Sequence, residues 1–339
     1  MSFLSGDSLW LAALALVMLW WASRRVSRTF EKQYPALGRK VPVSGPAVLH
    51  VIDRAPDDPS AVPGLPIVVI HGASGNARDG EAALGARLGA KARILFFDRP
   101  GHGWSERPPG RSASAPDGQA RMIVEALDQL DVGQAVIVGH SLGAAVACAV
   151  ALIDKKRVAG LVVITPATHP WPGGGGVSWH NRIAALPVIG RVFSELFPPF
   201  LGALVMPLVL PSIFTPNPVP DRYELRSGAA LALRPKAFRA NALDVVGLKA
   251  NVTRLSPQYC EITAPTLIVC GGADVIVSNA LHAERLAGEI KGSRLVELAG
   301  IGHMPQWSAG DEVARLILEF TAVLPVPPVM PAQAPAPPP

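Results

Sequence analysis

The chain has 339 residues, of which 49% are hydrophobic and 17% are charged, a composition that supplies a large core and excludes a disordered or coiled-coil protein. Three cysteines without a CxxC spacing exclude a disulfide scaffold and a zinc ribbon. The net charge is +5, and residues 23–40 alone carry six basic side chains and one acidic side chain. Because this basic segment follows an apolar one, it is typical of a membrane edge and argues against a nucleic-acid partner.

The N-terminal segment is predicted to attach the chain to a membrane. Residues 9–22 carry no charge, and counting from Phe3 the apolar stretch reaches roughly 20 residues, enough for a helix to cross a hydrocarbon core about 30 Å thick. Trp10, Trp20 and Trp21 lie near its ends, where interfacial anchors are expected. No basic residue precedes the stretch, which argues against a cleaved signal peptide. The positive-inside rule places the following chain on the cytoplasmic side. An interfacial helix and a helix docked on the domain are the alternatives.

Beyond residue 64, short apolar segments alternate with helix-like ones. The short segments are rich in β-branched and aromatic residues and lack polar alternation, which is typical of strands buried on both faces of a parallel sheet. The predicted strands are Ile67–Ile70, Ile94–Phe97, Ala135–Val138, Leu161–Ile164, Thr266–Cys270 and Arg294–Leu298. Amphipathic helices are predicted at Asp117–Leu130 and Asp311–Leu324, and Val48–Ile52 is predicted to begin an antiparallel edge. The pattern predicts an α/β domain.

One segment interrupts this alternation, between Thr168 and Pro220. Its 53 residues contain three charged side chains, where the chain average gives about nine. With the helix-like stretch to Tyr259 it is predicted to be an insertion over one end of the sheet, and its low charge is typical of an apolar pocket wall. The last 15 residues contain eight prolines and no charge, which predicts a disordered tail.

A serine motif follows the strand predicted at Ala135–Val138. The sequence Gly-His-Ser-Leu-Gly at 139–143 joins that strand to a helix of small residues, a context in which the serine hydroxyl is exposed on a sharp turn. The N–H of Leu142 then faces the substrate oxygen on which negative charge develops. A second N–H of this kind is expected from Ala73, in the glycine-containing loop after the strand at Ile67–Ile70.

Five segments, in this order, resemble the α/β-hydrolase fold superfamily: HGASG at 71–75, DRPGHGWSERP at 98–108, GHSLG at 139–143, GGADVIVS at 271–278 and GIGHMPQW at 300–307. The resemblance covers about residues 47–324. It implies a mostly parallel central sheet covered by helices, with a core at 47–167 and 258–324 and a helical cap at 168–257. Residues 1–23 would then be the membrane anchor, 24–46 a basic juxtamembrane linker and 325–339 the tail.

The resemblance also implies a catalytic triad. In that superfamily the nucleophile, the acid and the histidine follow one another along the chain, which matches Ser141, Asp274 and His303. His303 would remove the Ser141 proton and return it to the leaving group, while Asp274 would hold the histidine tautomer. His140 and Trp104 are predicted to bind substrate. No metal or organic cofactor is implied.

A serine at position 141 favours acyl chemistry, because superfamily members that open epoxides or cleave carbon–halogen bonds generally use an aspartate there. With the apolar insertion and N-terminus, it predicts a membrane-associated, lipase-like serine esterase that cleaves a hydrophobic carboxylic ester through an acyl-enzyme. The alternatives are other acyl chemistry on the same triad, namely carbon–carbon bond hydrolysis, perhydrolysis or acyl transfer. A non-catalytic, membrane-tethered scaffold is the alternative from another class.

Overall fold

The centre of the fold is an eight-stranded sheet. The computed structural model describes residues 6–57, 64–89, 92–110, 112–173 and 175–325. The strands are β1 (Arg39–Pro42), β2 (Val48–Arg54), β3 (Ile67–Ile70), β4 (Ile94–Phe97), β5 (Ala135–His140), β6 (Val158–Ile164), β7 (Thr266–Gly271) and β8 (Arg294–Leu298). Their order is β1-β2-β4-β3-β5-β6-β7-β8. β1 pairs with β2 and β2 with β4 in antiparallel fashion, and all other neighbours are parallel, so the predicted mostly parallel sheet is confirmed.

Helices cover the sheet. The α-helices of the described chain are α1 (Gly6–Gln33), α2 (Ala77–Gly80), α3 (Ala86–Leu88), α4 (Pro116–Gln129), α5 (Leu142–Ile153), α6 (Trp179–Ala185), α7 (Ile189–Leu196), α8 (Ala203–Phe214), α9 (Tyr223–Ser227), α10 (Pro235–Leu255), α11 (Arg285–Glu289), α12 (Pro305–Ser308) and α13 (Gly310–Ala322). Short π-helical segments lie at Glu81–Gly85, Pro198–Gly202 and Ala280–Glu284, and 3₁₀ segments lie at Ser112–Ser114, Ala229–Leu233 and Ser256–Glu261.

The continuous apolar strands β3, β4 and β7 are buried along their whole length, because helices pack on both faces of the sheet. One face contacts α4 and the alanine-rich α5, and the other contacts α13. β8 differs from its prediction, since all five of its residues are partly or fully exposed. Its position at the sheet edge, with a single neighbouring strand, is the reason.

The basic segment predicted as a linker is ordered secondary structure. α1 continues to Gln33 without a break, and β1 adds an edge strand to the sheet. The helix is held by α7 of the predicted cap: the Ser23 hydroxyl donates to the carbonyl of Glu195 at 2.5 Å, and Arg24 forms an ion pair with the Glu195 carboxylate at 3.0 Å. The segment predicted as a linker thus begins with a helix that is docked on the predicted cap.

The apolar part of α1 extends away from these contacts. Residues 10, 11 and 13–18 are all exposed, and residues 1–5 of the predicted anchor lie outside the described chain. Among the described residues, no single helix combines the length and apolarity needed to cross a membrane, and α7 with Pro198–Phe214 does so only as a pair bent by 50°. The predicted N-terminal span stays a prediction.

Residues 168–257, which we call the cap, connect β6 to β7 through α6–α10. The cap contacts the loops that follow β3 and β8, both at the carboxyl ends of parallel strands. This is the edge of an open α/β sheet at which ligands bind. The predicted disordered tail falls almost entirely on residues 326–339, outside the described chain.

Candidate active site

Ser141 lies on a strained turn between β5 and α5. Its backbone has φ 52° and ψ −118°, a conformation that L-residues adopt only where the surrounding structure enforces it. Two close approaches enforce it here. A Cβ at Gly139 would lie 2.4 Å from the carbonyl oxygen of Gly143, and a Cβ at Gly143 would lie 2.4 Å from the oxygen of Ile70. Both positions therefore require glycine, as the motif predicts.

Three side chains form one hydrogen-bonded chain at this turn. His303 Nε2 lies 3.0 Å from Ser141 Oγ, and His303 Nδ1 lies 2.7 Å from Asp274 Oδ2. In the tautomer that satisfies both contacts, Nδ1–H donates to the carboxylate and Nε2 accepts from the hydroxyl. The three residues follow β5, β7 and β8, so the sheet brings together positions that are far apart in sequence.

Asp274 is held in its ionised form. Burial alone would raise the pKa of this carboxyl, but the hydrogen bond and charge of His303 outweigh it and lower the pKa below its usual value. The N–H groups of Ile276 and Val277 also donate to Asp274 Oδ1, at 2.7 and 3.1 Å. The carboxylate can therefore fix the histidine and stabilise its protonated form.

The two predicted oxyanion donors lie beside Ser141. Leu142 begins α5, and Ala73 follows Gly72, whose ideal Cβ position is 3.1 Å from the Ser141 Cβ. Within the described part of the chain, neither the Ala73 nor the Leu142 N–H donates to a protein acceptor. Both donors are thus available to a negatively charged oxygen at this site.

The loop that leads to Ala73 is stabilised by hydrogen bonds of His71 and Arg99. His71 Nδ1 donates to the carbonyl of Gly72 at 2.8 Å, and its Nε2 accepts the N–H of Arg99 at 3.0 Å. Burial lowers the pKa of His71 to about 3, so the ring is neutral and keeps this tautomer. The Arg99 guanidinium also donates to the carbonyls of His71 and Gly72, both at 3.0 Å.

The two predicted substrate-binding residues make other contacts. His140 Nε2 lies 3.0 Å from the carbonyl oxygen of His303, and burial lowers its pKa to about 3, so the neutral ring supports the backbone of the histidine. Trp104 Nε1 donates to the carbonyl of Tyr34 at 3.1 Å, and its backbone N–H donates to Asp98. The indole nitrogen of Trp104 is thus directed toward the chain after α1, and a substrate contact by Trp104 stays a prediction. A substrate contact by His140 stays a prediction.

The comparisons with known proteins agree with this geometry. The sequence model of the alpha/beta hydrolase family matches residues 67–316. The chain belongs to the alpha/beta hydrolase family. It is 30% identical over 267 residues to the 2-hydroxy-6-oxononadienedioate/2-hydroxy-6-oxononatrienedioate hydrolase of Klebsiella pneumoniae subsp. pneumoniae, an alignment that covers 76% of this chain and 86% of that protein. Its family and its similarity to named hydrolases show that this alpha/beta hydrolase is an enzyme.

Solved structures show the same fold. A thermophilic esterase from Thermogutta terrifontis superposes with a TM-score of 0.66 at 23% identity, covering 84% of this chain and 97% of its own. A membrane phospholipase A superposes with a TM-score of 0.65 at 18% identity, covering 94% and 96%. These superpositions establish the architecture of this alpha/beta hydrolase. The low sequence identities leave its substrate open.

Sequence reasoning missed two asparagines through which the cap of this hydrolase contacts the site. Asn217 accepts the N–H of Gly302 at 2.8 Å and donates to the carbonyl of Gly300 at 3.0 Å. Asn241 of α10 accepts the N–H of Ser74 at 2.7 Å, next to Ala73, a predicted oxyanion donor. No local pattern marks either residue, because its partner lies 83 to 167 positions away in the chain. Within the described residues, no cluster of His, Cys, Asp and Glu could hold a metal ion.

Proposed function

We propose that this hydrolase cleaves an acyl bond through a covalent acyl-enzyme on Ser141. The hydrogen-bonded chain from Asp274 through His303 to the strained serine carries the proposal. His303 takes the hydroxyl proton as Ser141 Oγ attacks the substrate carbonyl carbon, and then gives that proton to the leaving group. Water then attacks the acyl-enzyme, and His303 again takes and returns the proton. This step releases the carboxylic acid and restores Ser141.

The N–H groups of Ala73 and Leu142 receive the negative charge that forms on the carbonyl oxygen. One such donor typically lowers the barrier by about 3 kcal/mol. Because the donors are backbone groups on braced elements, they need no rearrangement during the reaction. This preorganisation supports acyl chemistry rather than a scaffold role.

A hydrophobic carboxylic ester is the first candidate substrate. The inner face of α8 packs Leu210 and Phe214 in one apolar cluster with Met304, the residue after the proposed base. An apolar cluster that includes the residue next to the proposed base supports a hydrophobic acyl group. Any ester carbonyl can be attacked by the serine with the machinery described above.

Carbon–carbon bond hydrolysis is the second candidate, and sequence similarity favours it over ester hydrolysis. The substrate in the name of the Klebsiella pneumoniae relative has a ketone and two carboxylates but no ester. Its hydrolysis therefore breaks a carbon–carbon bond next to the ketone. The same serine could add to that ketone, with the proton from His303 delivered to the departing carbon.

The test compares purified wild type with Ser141→Ala, and uses Ser212→Ala on the exposed side of α8 as the matched control. We expect a fluorophosphonate to label wild type and Ser212→Ala only, and turnover in Ser141→Ala to fall at least about 10³-fold with an unchanged melting temperature. A p-nitrophenyl ester series and a 2-hydroxy-6-oxo-dienedioate are then compared by kcat/KM. The substrate with the higher kcat/KM shows whether the enzyme cleaves esters or carbon–carbon bonds. Labelling of Ser141→Ala, or no labelling of wild type, would reject the acyl-enzyme.

We propose further that α1 attaches the enzyme to a membrane. Its exposed apolar part supports this, as do the two cation–π pairs, Arg24 over Trp20 and Arg25 over Trp21, where apolar sequence gives way to basic sequence. Leu14→Glu combined with Val17→Glu is expected to release the full chain from phospholipid vesicles in a flotation assay. Unchanged flotation would reject α1 as the anchor. The cytoplasmic placement of the enzyme remains a prediction from the positive-inside rule.

A further inference from the structure

The outer face of α8 is an exposed apolar surface. Leu204 and Leu208 are each 78% exposed, and Leu201, Val205 and Val209 on the same part of the cap are also exposed. The sequence from Leu196 to Pro220 contains no charged residue. Isolated exposed leucines are ordinary, but a helix that presents a continuous set of them marks a surface that contacts an apolar partner.

The opposite face of the same helix is buried in the protein. Leu210 and Phe214 are buried with Met304, which follows His303 in sequence. α8 therefore lies between this apolar cluster and the exterior. Whatever covers the outer face of α8 lies about one helix diameter, roughly 10 Å, from this cluster.

The exposed apolar surfaces of α1 and α8 both adjoin the segment Pro198–Gly202. α1 contacts α7 and the π-helical segment Pro198–Gly202, and that segment runs directly into α8. Beyond the contact with Glu195, α1 exposes residues 10, 11 and 13–18. The two apolar surfaces thus extend from one junction.

A lipid bilayer matches this pair of surfaces better than a second protein does. Residues of α1 are exposed all round the helix, and a helix that is apolar on every side requires an apolar surrounding, whereas a protein partner covers one stripe. Trp20, Trp21, Arg25 and Arg28 follow the apolar part and are exposed, which suits the headgroup region of an anionic membrane. Arg191 adds an exposed basic side chain on α7.

We infer that the outer face of α8 and the N-terminal part of α1 form one surface that binds an anionic phospholipid bilayer. α8 lies in the interface with Leu204 and Leu208 among the acyl chains, and the cap wall then faces the membrane. The inference rests on the proposed function only in that a bilayer-borne substrate would reach Ser141 through this wall. Membrane binding by α8 itself is independent of the reaction.

The experiment uses the full chain and flotation with vesicles of phosphatidylcholine and phosphatidylglycerol, beside vesicles of phosphatidylcholine alone. Leu204→Glu combined with Leu208→Glu is compared with wild type and with Val323→Glu, a matched control because Val323 is 81% exposed at the end of α13. We expect the α8 double variant to reduce vesicle binding at least about tenfold, and Val323→Glu to leave it unchanged. Wild type should bind the anionic vesicles more tightly, and less so at high salt.

Flotation of the α8 double variant at the wild-type level would overturn the inference. So would a wild-type dimer that this variant converts to a monomer, because the partner would then be a second copy of the chain. Fluorophosphonate labelling is measured on every variant. If wild type fails to label while flotation follows the expected pattern, the proposed function fails and the membrane surface stands.

Discussion

Asp79 is a buried carboxyl group that the proposed reaction does not use. It is 6% exposed, and its Oδ1 accepts the indole N–H of Trp307 at 2.9 Å. Burial raises its pKa to about 6, although hydrogen bonds from Trp307 and Tyr223 oppose the rise. Because the folded-state pKa exceeds the unfolded value of about 3.9, the folded protein binds the proton more tightly. The stability that this provides is complete below about pH 4 and is lost as the pH rises through 6.

We therefore expect Asp79→Asn to be more stable than wild type at pH 8 and to lose the difference near pH 4. A shift of this size corresponds to at most about 3 kcal/mol of unfolding free energy. Urea unfolding at pH 4, 6 and 8 measures it, with the exposed Asp221→Asn as control. An Asp79→Asn stability curve parallel to that of wild type would contradict the assignment.

Among the secondary-structure elements, the cap contacts the loops that carry the site residues. The loop before His303 passes so close to the cap that a Cβ at Gly302 would lie 2.2 Å from the carbonyl oxygen of Thr215. Asn217, two residues later, binds this loop through both its amide oxygen and its amide nitrogen. The cap thus positions the proposed base in addition to covering it.

Asn217→Ala removes both hydrogen bonds and leaves the N–H of Gly302 without its acceptor. We expect kcat on a short ester to fall about tenfold to a hundredfold with a smaller change in KM, because a misplaced base slows proton transfer more than it weakens binding. Asn217→Asp keeps an acceptor for Gly302 and is expected to recover part of kcat. The same loss of kcat in Ser212→Ala, or no loss in Asn217→Ala, would show that Asn217 does not position His303.

At the scale of the whole molecule, a buried ionic network joins the core to the cap. Arg99, after β4, donates to Asp244 of α10 at 2.6 Å, and their side chains are 0% and 1% exposed. Arg107 and Gln119 donate to the same carboxylate at 2.8 and 3.0 Å. Since Arg99 also donates to the carbonyls of His71 and Gly72, just before Ala73, this network fixes the cap relative to the site.

Asp244→Leu leaves the Arg99 charge buried without its partner. We expect the unfolding free energy to fall by about 3–5 kcal/mol, and Arg99→Met combined with Asp244→Leu to recover part of that loss. Urea unfolding followed by tryptophan fluorescence and circular dichroism measures both variants. A loss below about 1 kcal/mol in Asp244→Leu would mean that the network does not tie the cap to the core.

The strands were the most predictable part of the fold. The bounds of β3 and β4 coincide with the predicted segments, because continuous apolar runs are visible in a local window. The bounds of β8 coincide as well, although its sequence includes Arg294 and Glu297. The continuation of the helix past residue 23 was not predicted, since it is stabilised by a contact with Glu195, 172 residues from Ser23. The hydrogen bond of Trp104 was not predicted for the same reason, as its partner Tyr34 lies 70 residues away.

Local sequence determined the sheet, the glycines around Ser141 and the order of the serine, the acid and the histidine, because each depends on neighbouring residues or on a motif at a strand end. Tertiary structure alone decided that Asn217 and Asn241 hold the site loops, that Asp244 pairs with Arg99, and that α8 turns one apolar face inward and one outward. These features depend on which distant segments meet in the fold. Composition and residue spacing within one segment do not indicate which distant segments pack against it.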